Sequence, residues 1–258
     1  MPLNFSKNRI LILGGGVTGS AIAHSLTRRG AVIAIADDKK IEDSSWQTFL
    51  SDAVDISHWD SVVVSPGWKP THPLIKRFMA ANVAITNEID LAWQIKEVEA
   101  PQQRWFALTG TNGKTSTVEM TAAAMRSGGL HAAACGNVGD TVIDAVESKE
   151  KYDVLVLELS SFQIHWMKSA QFNASAILNI ADDHSDWHGD FQEYARTKIS
   201  LLDSSSTGIL NADDAEVVKR SVHWKGRKVF FTLQTPGPGE IGVVEELLVD
   251  RAFVADPQ

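Results

Sequence analysis

Twice in this 258-residue chain a short apolar run opens into a glycine-rich turn and then into a stretch that can form a helix. The first case is the run 9–13 followed by Gly14-Gly15-Gly16-Val17-Thr18-Gly19. The second is Phe106-Ala107-Leu108 followed by Thr109-Gly110-Thr111-Asn112-Gly113-Lys114-Thr115-Ser116. A strand that feeds a helix through glycines is the opening of a βαβ unit, which restricts the chain to parallel sheets covered by helices. The apolar runs 32–36, 61–64, 154–159 and 176–180 continue the alternation. Two such openings, in a chain about 1.7 times the usual domain length of roughly 150 residues, predict two α/β domains.

The polar stretch 97–104 (EVEAPQQR) breaks both periodicities and is expected to separate them. The Pro/Gly-rich stretch 234–242 (QTPGPGEIG) reads as a connection. The expected fold class is therefore α/β, with a Rossmann-like parallel-sheet N-terminal domain over residues 1–98. A P-loop ATPase-type α/β central domain would follow over 103–258.

Charge narrows the partners. A net charge of -8, from 24 basic and 32 acidic residues with no long Lys/Arg run, argues against a nucleic-acid surface. An anionic ligand would have to be held locally, by helix N-termini, single lysines or metal ions. The lone Cys135 cannot make an intrachain disulfide, which fits a reducing compartment. The apolar run 10–13 is too short for a signal core, and no run approaches the roughly 20 residues of a membrane span. A cytoplasmic monomer without membrane insertion is expected.

The first turn has the G-x-G-x-x-G form. Its glycines would let the backbone approach a diphosphate at a helix N-terminus, with a helix expected over 20–29, and Asp37 would accept bonds from a ribose or base. NAD, FAD and a UDP-sugar all carry such a diphosphate, and a tight turn that binds nothing has the same pattern. Ser65-Pro66-Gly67 would lie on the same carboxyl edge of the sheet.

The second turn reads as a phosphate loop followed by a helix over 118–125. Successive backbone N–H groups would wrap a β-phosphate, Lys114 would reach the β and γ oxygens, and the hydroxyl of Thr115 or Ser116 would hold Mg²⁺. It departs from G-x-x-x-x-G-K-[ST], because Leu108 stands at the first glycine and the spacing is G-x-x-G-K-T.

The run Val154-Leu155-Val156-Leu157-Glu158-Leu159 is apolar except for one glutamate, as in a strand covered on both faces. A buried unpaired carboxylate is costly, so Glu158 either binds Mg²⁺ or marks an exposed strand end. Asp182-Asp183-His184-Ser185-Asp186-Trp187-His188 would bind a cation or form a solvated loop. Asp190 with Glu193 reads as a capping box, and the helix it starts would put Phe191, Tyr194, Ala195, Lys198, Ile199 and Leu202 on one face. Lys198 is thus expected to point inward, where it either snorkels to solvent or, if desolvated, favours its neutral amine.

Together, GTNGKTS (110–116), CGNVG (135–139), ELSSFQ (158–163) and DDHSDWHG (182–189) ahead of Lys198 resemble the Mur ligase family. The resemblance runs from residue 9 to about 253, and SSFQ with the first turn is most similar to the D-glutamate-adding branch. It implies ATP-dependent ligation of D-glutamate to UDP-N-acetylmuramoyl-L-alanine through an acyl phosphate, in peptidoglycan precursor synthesis. It also implies a third, amino-acid-binding domain, before which this chain stops. With the family's H-N-x-x-N stretch also missing, the chain is expected to be a fragment with a clipped central domain, inactive alone.

By resemblance, Gly110, Thr111, Asn112, Gly113, Lys114, Thr115 and Ser116 bind ATP. Thr115 and Glu158 hold one Mg²⁺, while His184 and a carbamylated Lys198 hold a second. Lys114, His184 and Lys198 are the implied catalytic residues. Asn137, Ser160, Gln163 and His184 would face the muramoyl-alanine and its diphosphate, and Thr18, Asp37, Lys39, Ser65 and Gly67 the UDP side. Three alternatives remain at this point: a sibling ligase adding L-alanine, a diamino acid or a dipeptide, an NAD-dependent oxidoreductase resting on Gly14, Gly16, Gly19 and Asp37, and a nucleotide-binding module without catalysis.

Overall fold

The computed structural model describes residues 5–42 and 44–254. The chain separates into two compact units. One runs to Gln102 and also takes in Gly139–Lys151 and His165–Ala170; the other comprises Gln103–Val138, Tyr152–Ile164 and the chain from Gln171 on. The units are therefore not continuous in sequence.

The first unit contains β1 (Arg9–Leu13), α1 (Val17–Arg28), β2 (Val32–Asp37), β3 (Gln47–Leu50), β4 (Ser61–Val64), α2 (Pro73–Ala80), β5 (Ala84–Asn87) and α3 (Glu88–Glu99). The strands form one parallel sheet in the order β3-β2-β1-β4-β5. Leu13 pairs with Ala36 on one side and with Val64 on the other, so Gly14, Asp37 and Ser65 all emerge at one carboxyl edge. Period-2 alternation gives one sheet face to Leu11, Leu13, Ala34, Ala36, Val62 and Val64, which pack with Leu74, Ile75 and Phe78 of α2.

Strands and helices of the second unit follow as β6 (Arg104–Thr109), α4 (Lys114–Ser127), β7 (Ala132–Gly136), β8 (Val154–Glu158), α6 (Ser161–Trp166), β9 (Ala174–Ile177), α7 (Ser185–His188), α8 (Phe191–Ser200), β10 (Thr207–Asn211), α9 (Ala215–Ser221), β11 (Arg227–Phe231), β12 (Glu240–Val244) and β13 (Leu247–Asp250). Between β7 and β8 lies α5 (Val142–Glu147), which belongs to the first unit, as do the last two residues of α6, His165 and Trp166. The sheet order is β13-β12-β11-β10-β9-β6-β8-β7, parallel except for the antiparallel pair β12 and β13. No helix among the described residues is long and apolar enough to cross a membrane.

The α/β class and the alternation agree with the sequence expectation, and several bounds differ. The stretch 97–104 is no free linker, since α3 continues to Glu99 and β6 starts at Arg104. The run expected at 176–180 is a strand at Ala174–Ile177, and the last residues of 234–242 belong to β12 rather than to a connection. Helix α1 starts at Val17 and α4 at Lys114, earlier than the expected 20 and 118, because each glycine turn ends directly at a helix N-terminus.

Buried polar groups fix the segments that join the first unit from a distance. The Asp90 carboxylate accepts the backbone N–H groups of Lys168, Ser169 and Ala170 at 2.7, 2.9 and 2.8 Å. Glu147 accepts the hydroxyl of Ser25 at 2.7 Å and pairs with Arg28 and Arg29. Glu88 accepts the Ile143 N–H at 3.0 Å and is 2% exposed.

Burial pushes the Glu88 carboxyl up to about 7, against the opposing pull of the Ile143 and Val142 amides. A folded-state value raised from 4.5 means that the folded chain keeps a proton that the unfolded chain releases between those pH values. Stability from this group is present below about pH 4.5 and lost as pH rises through about 7. Glu88→Gln is therefore expected to stabilise the chain at pH 8, by on the order of 3 kcal/mol, and to change little at pH 4.5. Urea melts at the two pH values check this; an equal effect at both would refute it.

Candidate functional site

The phosphate loop leaves β6 and enters α4 through Gly113, whose φ of 79° is the left-handed conformation that glycine supplies without strain. The N–H groups that open α4 have no intrahelical acceptors and carry the positive end of the helix dipole. Thr111 and Asn112, in contrast, donate their N–H groups to the main-chain oxygen and Oδ1 of Asn179, at 3.0 and 2.8 Å. Successive N–H groups were expected to wrap a phosphate; in this structure these two are taken up by Asn179. The amides that follow, from Gly113 on, open α4. Lys114 folds back and donates from Nζ to the Thr111 carbonyl at 2.9 Å.

Glu158 lies at the carboxyl end of β8, beside the loop, and is 2% exposed. Thr115 Oγ1 donates to its Oε2 at 2.8 Å, and Asn137 Nδ2 donates to its Oε1 at 3.0 Å. The Asn137 N–H also binds the Glu158 carbonyl at 2.9 Å. That approach requires Gly136, since a Cβ there would stand 2.6 Å from the Glu158 carbonyl oxygen. The motifs at 110–116, 135–139 and 158–163 thus meet at the carboxyl ends of adjacent strands. A hydroxyl and a buried carboxylate oxygen in contact form a hard-oxygen donor pair of the kind Mg²⁺ takes, so Thr115 and Glu158 fit that ion.

Lys198 is 2% exposed and points inward from α8. Its Nζ donates to Gly110 O at 2.9 Å and Thr109 Oγ1 at 3.2 Å, and lies 4.8 Å from the centroid of the Tyr194 ring. Burial, reinforced by the Lys114 ammonium, pushes its amine down to about 7. Tyr194, buried one turn earlier, shares a hydrogen bond of 3.0 Å with Thr111 Oγ1. Asp190 caps α8 by accepting the Glu193 N–H at 2.8 Å, while the Glu193 side chain pairs with Arg196 instead of closing the box.

The segment 182–188 is not a ready-made metal centre. Among the described residues no three His, Cys, Asp or Glu side chains come together as a metal cluster. The reason is local: Asp182 accepts the Ser185 hydroxyl, Asp183 accepts the His184 N–H, and His188 turns inward to Ser161 at 2.9 Å. His184, at φ 52°, sets its ring 4.8 Å from Phe162. Ser160 and Gln163 bond each other, with Gln163 Oε1 accepting the Ser160 N–H at 2.9 Å.

In the first unit the carboxyl edge bears a cavity of about 570 Å³, lined by Asp37, Asp38, Ser65, Gly67, Trp68 and Lys69, with Thr71, His72 and Pro73 beyond. Its volume suits a small-molecule ligand. Ser65 Oγ is buried here without a hydrogen-bond partner among the described residues. Asp37 spends one oxygen on the Gly15 N–H (2.9 Å) and the other on the Lys39 N–H (3.2 Å), so it shapes the turn as well as the cavity. Ile41 covers Gly15, whereas Gly16 is open, ahead of Thr18 in the first turn of α1. Lys69, not Lys39, is the lysine on the cavity wall.

Residues 108–240, which contain all the second-unit groups just described from Lys114 to Lys198, match the Mur ligase middle domain. The chain belongs to the Mur ligase family. The UDP-N-acetylmuramoylalanine--D-glutamate ligase of Streptomyces coelicolor is 39% identical over 275 residues, covering 100% of this chain and 58% of that protein. This chain spans little more than half the length of the curated relatives it matches. Among solved Mur ligases, the UDP-N-acetylmuramate:L-alanyl-gamma-D-glutamyl-meso-diaminopimelate ligase of Neisseria meningitidis aligns with a TM-score of 0.59 at 14% identity. It covers 96% of this chain and 85% of that one. The MurF ligase of Thermotoga maritima, solved with ADP, aligns at 0.50 and 17% identity, over 91% and 52%. Both share the fold. Membership in this family leaves the oxidoreductase alternative without support.

Four residues at these two places, one in each unit, carry no sequence signal of their own. Asn179 is a neutral amide at the end of an apolar run, Tyr194 is one more residue on a buried stripe, and Trp68 and Lys69 sit in a polar loop.

Proposed function

We propose that this chain is the UDP-sugar-binding and ATP-binding part of a cytoplasmic, monomeric ligase that joins D-glutamate to UDP-N-acetylmuramoyl-L-alanine. Residues 1–98 would serve the UDP moiety and 103–258 the ATP. The observation that carries this reading is the network in which Thr115 and Asn137 meet on the buried carboxylate of Glu158, beside a loop held by Lys198. The 39% identity to a D-glutamate ligase favours this branch over its siblings.

In this mechanism the substrate carboxylate attacks the γ-phosphorus in line, the bond to the β–γ bridging oxygen breaks, and ADP leaves. The amine of D-glutamate then adds to the acyl carbon, loses a proton and expels phosphate. Both steps gather negative charge, so fixed cations and donors supply most of the help. Thr115 and Glu158 would hold one Mg²⁺, which when bound screens the phosphate oxygens; His184 and Lys198 would hold a second. Lys114 would leave the Thr111 carbonyl for the β and γ oxygens, and the first amides of α4 would cradle the phosphate. Asn137, Ser160 and Gln163 would orient the acyl acceptor, and Ser65, Asp37, Gly67 and Thr18 the UDP. A neutral Lys198 amine adding to CO₂ with loss of a proton would become a carbamate, an anion where the sequence has a cation.

Calorimetric titration with UDP-N-acetylmuramoyl-L-alanine and Mg²⁺, run beside NAD⁺, tests the reading. Saturable binding of the UDP-sugar alone is expected. Tight NAD⁺ binding without a response to the UDP-sugar would overturn it.

A further inference from the structure

We propose that Asn179 is a positioning residue that moulds the phosphate loop and decides which of its amides can meet a phosphate; this rests on the phosphate-loop reading above. Strand β9 ends at Ile177, yet its pairing with the β6 side does not stop there. Leu178 donates its N–H to Thr109 O at 2.9 Å, and Thr111 donates its own to Asn179 O at 3.0 Å. At the next position the Asn179 side chain replaces the strand. Oδ1 accepts the Asn112 N–H at 2.8 Å, and Nδ2 donates to Asn112 O at 3.0 Å. A carboxamide presents one acceptor and one donor side by side, as a peptide group does, so it can satisfy both polar atoms of Asn112 at once.

The grip is anchored from behind. Asn211 Nδ2 donates to Leu178 O at 2.8 Å, and Asp214 Oδ2 accepts the Ile180 N–H at 3.1 Å. Thr111 Oγ1 both accepts the Ala181 N–H at 3.0 Å and donates to Ala181 O at 3.2 Å. Segment 178–181 is thereby tied to Asn211 and Asp214 at the end of β10 as well as to the loop. Gly110 permits the contact, since a Cβ there would stand 3.0 Å from the Leu178 Cβ. With residues 111 and 112 held, the chain must reverse at Gly113 and direct its next amides outward from the start of α4. A loop shaped before its ligand arrives binds more tightly, because the ordering cost is already met.

Two variants test this. In Asn179→Ala both side-chain bonds to Asn112 are lost; Asn179→Asp keeps the acceptor and loses the donor. Amide hydrogen exchange at Asn112 is expected to accelerate at least tenfold in Asn179→Ala, and amides in the middle of β6 and β8 are expected to keep their rates. Mg-ADP affinity, read by calorimetry, is expected to fall at least tenfold in Asn179→Ala, with far-UV circular dichroism unchanged. A merely structural role would move the strand amides together with Asn112. Unchanged exchange at Asn112 in either folded variant, or Mg-ADP affinity within twofold of the parent in folded Asn179→Ala, would overturn the proposal. If the parent chain itself fails to bind Mg-ADP, the phosphate-loop reading falls, and the exchange experiment still decides the role of Asn179. Should Asn179→Ala fail to fold, exchange at Asn112 in Asn179→Asp decides, because the added carboxylate would itself repel a nucleotide.

Discussion

Replacing Lys114 by alanine is expected to reduce ligation by the full-length protein at least 10³-fold, a loss of about 4 kcal/mol of transition-state stabilisation. The ammonium is fixed at the loop itself, 2.9 Å from the Thr111 carbonyl, and the triphosphate is the natural competitor for it. Its removal takes a positive charge from the place where the attacking carboxylate and the phosphate repel each other. The effect should fall on Mg-ATP binding and on turnover, and leave UDP-sugar binding within twofold. Steady-state kinetics together with the two titrations separate these quantities, and normal ligation by Lys114→Ala would end the phosphate-loop assignment. No fold change is expected, because Lys114 opens its helix and is only half-buried.

For Lys198→Ala a loss of roughly 10²-fold or more in ligation is expected, comparable to removing a preorganised charge from an active site. Added bicarbonate should not restore it, since no amine is left to react. A small carboxylic acid such as propionate should restore part of it by occupying the vacated space with an anion. Lys198→Arg should stay inactive as well, because a guanidinium does not deprotonate and cannot take up CO₂. With the amine pushed down to about 7, its neutral fraction is already large near neutrality and shrinks as pH falls below that value. Full activity of Lys198→Ala without any rescue would sink the carbamate. The variant also loses the bonds from Nζ to Gly110 and Thr109, so a thermal melt should accompany the assay to show that the loop's support, and not the whole fold, is what changed.

Much of the site was legible before any tertiary information, and the legible part has a common character. Glycine turns between a strand and a helix, a lone carboxylate in an apolar strand and a lysine on a core-facing stripe are all departures from a local period. Glu158 and Lys198 are buried where that reasoning put them, and Asp190 caps its helix as the spacing of three implies. The sequence left a choice open where a group's surroundings depend on partners it does not display. The acidic and imidazole groups at 182–188 read either as a cation site or as a solvated loop, and among the described residues Asp182 accepts a neighbouring hydroxyl and His188 meets Ser161, with no three such groups gathered as a cluster. Lys39 was named by resemblance alone, and the cavity wall, which Asp37 and Asp38 after β2 share with the loop after β4, carries Lys69.

By itself the sequence determined the α/β class, the two points where strand turns into helix through glycine, and the positions of Glu158 in an apolar strand and of Lys198 on a core-facing helix stripe. Each of these follows from a period of two or 3.6 residues, or from the backbone freedom of glycine, and such constraints act within a few positions. Only the tertiary structure decided that the amides of Thr111 and Asn112 belong to Asn179, 67 residues further along in the case of Asn112. The same holds for the Asp37 carboxylate, which binds the amide of Gly15, and for α5 and residues 165–170, which join the first unit. Hydrogen-bond partners are selected by proximity after the sheets have formed, and a linear pattern carries no record of which distant donor will arrive.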